Sequence, residues 1–165
     1  MILPVLTEPN KILRRVGDKL TMADLTTPKM KKFITDLTET MYAKDGVGIA
    51  SPQVGNSIQL CVIAKNFTPD KKRDLVLVNP AWKKTTTKTA WDMEGCLSVP
   101  GIYGEVKRYT EIKVTALSET GAPLQFKANK FFCRIIQHEV DHLNGILFID
   151  KARNLQEIDK KTDTI

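Results

Sequence analysis

The chain has 165 residues, 42% of them hydrophobic and 27% charged, with a formal net charge of +6. That composition suits one packed domain and argues against disorder, and no apolar run approaches the roughly 18–20 residues that a bilayer-spanning helix needs. The N-terminal stretch has no basic segment followed by an apolar one, so no secretory signal is read there; the odd cysteine set, Cys61, Cys96 and Cys133, fits a reducing compartment. Lysines are scattered (Lys29, Lys31, Lys32; Lys71, Lys72; Lys83, Lys84, Lys88) without interleaved aromatics. A solvated basic surface is the plain reading, and weak attraction to RNA-rich particles the sharper one.

In chain order, the first strong element is a helix predicted over 28–43. Thr27 is placed to cap it, Pro28 suits the first helical position, and Met30, Phe33, Ile34, Leu37 and Met41 recur at helical spacing. Asp45-Gly46 ends it, and a glycine-bearing loop runs to Gly55. Strands are read at 58–64 and at 75–78, the second stopping at Asn79-Pro80; 82–89 is polar and Thr-rich, as an exposed strand and turn would be. Ile112, Val114 and Ala116 alternate within a strand over 111–117, and Gly121-Ala122-Pro123 turns the chain back. Asn129 is expected to cap a second helix, 130–143, on which Phe131, Ile135, His138 and His142 share a face. Gly145 stands where a helix end takes a residue of positive φ, and the polar tail reads as weakly helical over 155–161. These elements predict an α+β fold, with mostly antiparallel strands packed around the second helix, in a single domain over 1–165.

Both histidines of the chain fall within His138-Glu139-Val140-Asp141-His142. On a helix that spacing puts the two rings on one face, a turn apart, where they can hold one ion while Glu139 reaches water bound to it. A third ligand must come from elsewhere. Six residues after His142, where one class of zinc peptidase has another His, stands Phe148, which cannot coordinate. Glu157 is the one downstream Glu, in a tail too short and polar to pack a ligand-bearing helix. Cys61 lies inside an apolar strand and Cys133 faces away from His138, so both read as core residues. Cys96 sits in Glu94-Gly95-Cys96-Leu97-Ser98-Val99-Pro100, an extended segment where a Gly beside the sulfur allows close approach. Two His and one Cys with an open fourth position suit a catalytic divalent metal.

At these residues the chain resembles a known family. Gly46-Val47-Gly48-Ile49-Ala50-Ser51-Pro52-Gln53, Glu94-Gly95-Cys96-Leu97-Ser98 and Gln137-His138-Glu139-Val140-Asp141-His142-Leu143 resemble, in order and approximate spacing, the three signature motifs of the peptide deformylases. The resemblance covers nearly the whole chain. It implies a metal-dependent hydrolase that removes the N-formyl group from the N-terminal formyl-methionine of newly made polypeptides, releasing formate. It further implies Cys96, His138 and His142 as metal ligands, with Glu139 as general base and then acid. The Gln53 side-chain amide and the backbone N–H of Leu97 would be donors to the oxyanion, and substrate backbone would pair near Gly48 and the Cys96 segment. Val47, Phe131 and Ile135 are candidates for the pocket that takes the methionine side chain. Ferrous iron is the implied metal in the cell, with Zn2+, Ni2+ or Co2+ accepted by the same donors. The implied partners are nascent N-formyl-methionyl polypeptides, with neither DNA nor a membrane. Some members dock on the ribosome through a longer basic C-terminal helix, so only weak ribosome association is expected here. The implied location is the bacterial cytoplasm, or an organelle after removal of a transit peptide.

The match has departures. Ser51 stands where Ala is common, a small change. Tyr103 stands where many members carry an Arg that contacts substrate backbone; a Tyr lacks that charge-assisted bond, which predicts a raised Michaelis constant with near-normal turnover. Glu94 and Arg108 are expected to pair near the far end of the substrate, as a surface pair of little energetic worth. Two competing readings are a zinc peptidase with another third ligand, and a non-catalytic protein with a structural metal, indifferent to loss of Glu139.

Overall fold

The computed structural model describes residues 1–158. Strands β1 (Gly48–Ala50), β2 (Leu60–Ile63), β3 (Leu75–Lys84), β6 (Glu111–Leu117) and β7 (Pro123–Asn129) form one sheet in the order β1-β2-β3-β6-β7. Strands β4 (Thr89–Cys96), β5 (Val99–Tyr109) and β8 (Arg153–Glu157) form a second, in the order β4-β5-β8. Neighbouring strands in both are antiparallel, and with helices α1 (Met22–Thr26), α2 (Pro28–Ala43) and α3 (Lys130–Leu143) the fold is α+β, as the sequence predicts.

The larger sheet is covered by a helix on each side. Strand β2 shows why: Leu60-Cys61-Val62-Ile63 is buried throughout, with Cys61 and Ile63 packed toward α3 and Leu60 and Val62 toward α2. The α3 side gathers Ile135, Ile136, Val140 and Leu143 against Leu77, Ile112 and Val114; the α2 side gathers Leu37 and Met41 against Ile49, Val76 and Val78. A third cluster, with Leu13, Cys96, Val106, Leu147 and Phe148, seats the β4–β5 hairpin. Every residue of α3 from Phe132 to Leu143 is buried, polar ones included. A helix that buries Gln, Asp, Glu and two His must find partners for them inside the protein. No helix among the described residues is long and apolar enough to cross a membrane.

Helix α2 begins and ends as predicted, with the Thr27 hydroxyl accepting the Met30 N–H at 3.1 Å and Asp45 at φ 56° before Gly46. The second predicted strand is longer than 75–78, because β3 changes partner at Asn79-Pro80. Val78 pairs with both Leu60 of β2 and Leu117 of β6, and after a register shift at Asn79-Pro80 the strand from Ala81 onward pairs with β6 alone. Asn79, at φ 49°, turns its amide to the backbone of Leu20 on both sides (2.9 and 2.8 Å), and Pro80 has no N–H to leave unpaired at the break. Asn129 does not cap α3: it is still paired with Glu111 at the end of β7, and the chain enters the helix through Lys130 at φ 54°. Gly145 has φ 73°, as its position requires, and a Cβ there would meet the Arg14 carbonyl oxygen at 2.5 Å. The tail reading is corrected over 155–157, which extend as β8 along β5, with Tyr103 opposite Gln156. An open strand edge outweighs a weak helical preference in so short a segment. Residues 159–161 lie outside the described residues.

Candidate metal centre

Strands β4 and β5 are joined by the two-residue turn Leu97-Ser98, with Cys96 paired to Val99, so the thiol stands at the mouth of a tight hairpin. Helix α3 brings His138 and His142 to it. The ligand atoms of Cys96, His138 and His142 all lie within 4.8 Å of one another, the one such cluster among the described residues. Cys96 Sγ is 3.2 Å from His142 Nε2, and His138 Nε2 is buried with no hydrogen-bond partner. A soft thiolate, two imidazoles and an orphaned buried lone pair converging on one point are the donor set of a divalent transition metal. Burial, helped by the His138 ring, holds the His142 pKa well below 6.5, which keeps its lone pair available. Phe148 does not ligate; its ring is stacked 6.2 Å from that of His138, while Glu157 is exposed on β8.

Glu139 is fully buried beside the cluster, and neither carboxylate oxygen has a hydrogen-bond partner. Strand β1 passes so close that a Cβ on Gly48 would strike Glu139 Oε1 and lie 3.0 Å from its carboxyl carbon. Only a glycine lets that strand edge and this carboxylate share the space. Gln53, in the helical turn after β1, is held by both ends: its Oε1 accepts the Ala50 N–H at 2.9 Å, and its Nε2 lies 3.2 Å from Ser98 Oγ and 3.5 Å from Cys96 Sγ. The amide N–H groups therefore face the sulfur side of the site. Burial pushes the Cys96 thiol up to about 12, against the backbone N–H of Ser98, which favours thiolate. A coordinated cation reverses that balance, since it deprotonates a thiol outright.

A family model for polypeptide deformylase matches residues 2–158. The chain belongs to the polypeptide deformylase family. It is 40% identical to the peptide deformylase of Microchaete diplosiphon over 152 residues, covering 91% of this chain and 75% of that protein. It is 40% identical to that of Symbiobacterium thermophilum, covering 95% and 70%. Among solved structures, the Met-Ala-Ser-bound class I type b peptide deformylase of Acinetobacter baumannii superposes with a TM-score of 0.85 at 33% identity, covering 92% of this chain and 98% of that one. The actinonin complex of the Synechococcus elongatus deformylase gives 0.85 at 36% identity, covering 92% and 81%. The chain is thus a metal-dependent hydrolase that removes the N-formyl group from formyl-methionyl polypeptides.

Behind the deformylase cluster lies a charge network that sequence reasoning misplaced. Glu94 and Arg108 do not pair at the surface; they are 0% and 3% exposed in their side chains. Glu94 Oε1 takes the His138 Nδ1 hydrogen bond at 2.8 Å and that of Arg108 Nη2 at 2.9 Å. Its Oε2 accepts from Arg108 Nε at 3.0 Å and Arg134 Nη1 at 2.6 Å. Burial would raise the Glu94 pKa, but the His138 and Arg108 hydrogen bonds outweigh it and hold the carboxyl well below the usual range. An ionised Glu94 accepts the proton of Nδ1 and so turns the other ring nitrogen of His138 toward Cys96 and His142. Arg108 also reaches Asp141 at 2.5 Å, and Asp141 takes Lys151 at 2.9 Å, so the strand cation braces the helix between its two histidines. Arg134 was not anticipated. Its place one turn before His138 was the available signal, and it ties α3 to the carbonyls of Val106 (2.9 Å) and Ala90 (3.0 Å).

The remaining sequence candidates fall in different settings. Leu97 forms the hairpin turn beside Cys96, with its side chain against the α2-side core. Val47 and Ile135 are buried in the α3-side core, while Phe131 is 38% exposed and packs edge-to-face on Phe67 at 5.7 Å. Tyr103 lies opposite Gly95 in the hairpin, its ring filling the space a Cβ on Gly95 would need.

Proposed function

We propose that Cys96, His138 and His142 hold one divalent metal ion, Fe2+ in the cell and Zn2+, Ni2+ or Co2+ where these are supplied. Glu139, Gln53 and Leu97 then perform the deformylation. The observation that carries this reading is the buried Cys96–His138–His142 cluster with the unpartnered Glu139 carboxylate beside it. When bound, the ion supplies Lewis acidity and a water that ionises near neutral pH. Glu139 takes a proton from the attacking water as its oxygen adds to the formyl carbon. The Gln53 Nε2–H and the Leu97 N–H donate to the oxygen that gains charge. Glu139 returns the proton to the amine nitrogen as the C–N bond breaks, leaving formate and a free N-terminal methionine.

The substrate is an extended chain read through its backbone. Gly48 is on β1, an edge of the larger sheet, and Gly95 is on β4, an edge of the smaller one, so each offers strand backbone to which an extended peptide can add. The Acinetobacter relative bears Met-Ala-Ser, a tripeptide with the N-terminal methionine that deformylation leaves. Val47, Phe131 and Ile135 form the side-chain pocket in this reading. The enzyme acts on nascent polypeptides in the bacterial cytoplasm and associates at most weakly with the ribosome.

The test is formate release from a formyl-Met tripeptide by metal-loaded protein, beside cleavage of the unformylated peptide. Formate release from the first and no hydrolysis of the second is expected; the reverse would establish the peptidase reading. Cys96→Ser is expected to lose metal in competition with a chelator by at least tenfold, and a metal-tight Cys96→Ser would remove Cys96 from the ligand set. A second expectation concerns Tyr103, only 7% exposed over Gly95. Tyr103→Arg is expected to lower KM for the tripeptide with kcat near normal, and an unchanged KM refutes a substrate role for this position.

A further inference from the structure

We propose that the outer face of the larger sheet docks the phosphate backbone of RNA on Lys83, Lys113 and Lys127. The register sets these three directly opposite one another across adjacent strands: Lys83 faces Lys113 between β3 and β6, and Lys113 faces Lys127 between β6 and β7. All three are exposed, while their neighbours Ile112, Val114 and Ala128 are buried on the other side of the sheet. Strands spaced about 4.8 Å apart place the three stems in a straight row of about 10 Å. Among the described residues none of the three has an ion-pair partner, and Glu111, two residues before Lys113 on β6, accepts the Thr85 hydroxyl at 2.5 Å.

Like charges directly opposite one another oppose sheet formation. Protection of a sheet edge explains Lys127, on the edge strand β7, and Lys83, on the stretch of β3 that pairs with β6 alone, but not Lys113, which has a strand on either side. The next row, Ala81, Thr115 and Gln125, is exposed and small or polar, with no aromatic to stack a base and no apolar anchor for a peptide or bilayer. What remains is a linear array of cations, complementary to a chain of phosphates and indifferent to base sequence. The choice of RNA rests on the deformylase reading, which puts the enzyme beside nascent chains and hence beside RNA-rich particles.

The experiment titrates metal-loaded protein into a fluorescent RNA hairpin and into a DNA duplex of equal length, at several salt concentrations. Three phosphate contacts predict a roughly 20- to 40-fold loss of RNA affinity between 50 and 200 mM salt. Lys113→Thr is expected to reduce the salt slope by about one contact while raising Tm at low salt by about one to three degrees, since it relieves two opposed pairs. Lys83→Thr/Lys113→Thr/Lys127→Thr is expected to lose the salt-dependent binding but retain formate release on the tripeptide, and Lys44→Thr to change neither. RNA affinity in the triple variant equal to wild type, tighter binding to DNA than to RNA, or no binding by wild type at 50 mM salt each overturns the proposal. Formate release is read separately, so failure of the RNA surface and failure of the deformylase assignment are distinguishable.

Discussion

Glu139→Gln is expected to keep its metal and to lower kcat for formate release by roughly two to four orders of magnitude, the usual contribution of a positioned acid–base group. Glutamine preserves the volume beside Gly48 but cannot take a proton from water or return one to the amine. The carboxylate has no hydrogen-bond partner to fix it for a structural purpose, so its loss leaves no donor stranded. Stability supplies an independent readout. Burial, with the Glu94 charge adding to it, raises the Glu139 pKa well above 4.5. A carboxyl raised on folding contributes stability that is complete below its unfolded pKa and falls away as the pH rises above it. The metal-free wild type should therefore lose stability relative to metal-free Glu139→Gln as the pH rises from about 4.5 toward neutrality, measured as the difference in Tm. Full turnover by the variant would sink the assigned role, and a constant Tm difference across that range would sink the account of the buried carboxyl.

The parts of the fold written locally were legible in the sequence, and the parts written across the sheets were not. Helix α2 declared itself through Thr27, Pro28 and a five-residue apolar stripe, and α3 through its periodicity and its paired histidines. Cys96 could be singled out because soft donors are rare, Cys61 lies in an apolar strand and Cys133 is on a different face of the helix from His138. Glu94 was seen only as a surface partner, because its burial depends on the register that sets Ala90 against Arg108 and on α3 returning from 40 residues later with Arg134. Asn79-Pro80 reads as a strand end from composition; only the exchange of β2 for β6 as partner shows that β3 continues. Asn129 has the chemistry of a helix cap but is held by strand pairing to Glu111, and a local rule does not foresee that competition.

Glu94→Gln is expected to cost about 3–5 kcal/mol of stability, the range for breaking a buried ion pair from one side, and to weaken metal binding by about 10- to 100-fold, the usual effect of losing the group that orients a ligand His. Four donors converge on this carboxylate, from His138 Nδ1, from Arg108 Nε and Nη2, and from Arg134 Nη1. An amide offers one acceptor oxygen in place of two, and its NH2 group would face a guanidinium. Arg108 keeps Asp141, but Arg134 keeps only carbonyls, leaving its charge buried without a counter-ion. The pH dependence has a definite sign. A carboxyl depressed on folding contributes stability that is present above its unfolded pKa and lost as the pH falls through the folded one. Wild type should therefore keep its advantage over Glu94→Gln at all pH values above the ordinary carboxylate range, near 4.5, and surrender it only in stronger acid. Urea unfolding of metal-free protein reads the first effect and chelator competition the second. A variant as stable as wild type with metal affinity intact would mean that His138 is oriented by something other than Glu94. A variant that loses stability but holds its metal would confine the network to bracing the β4–β5 hairpin against α3.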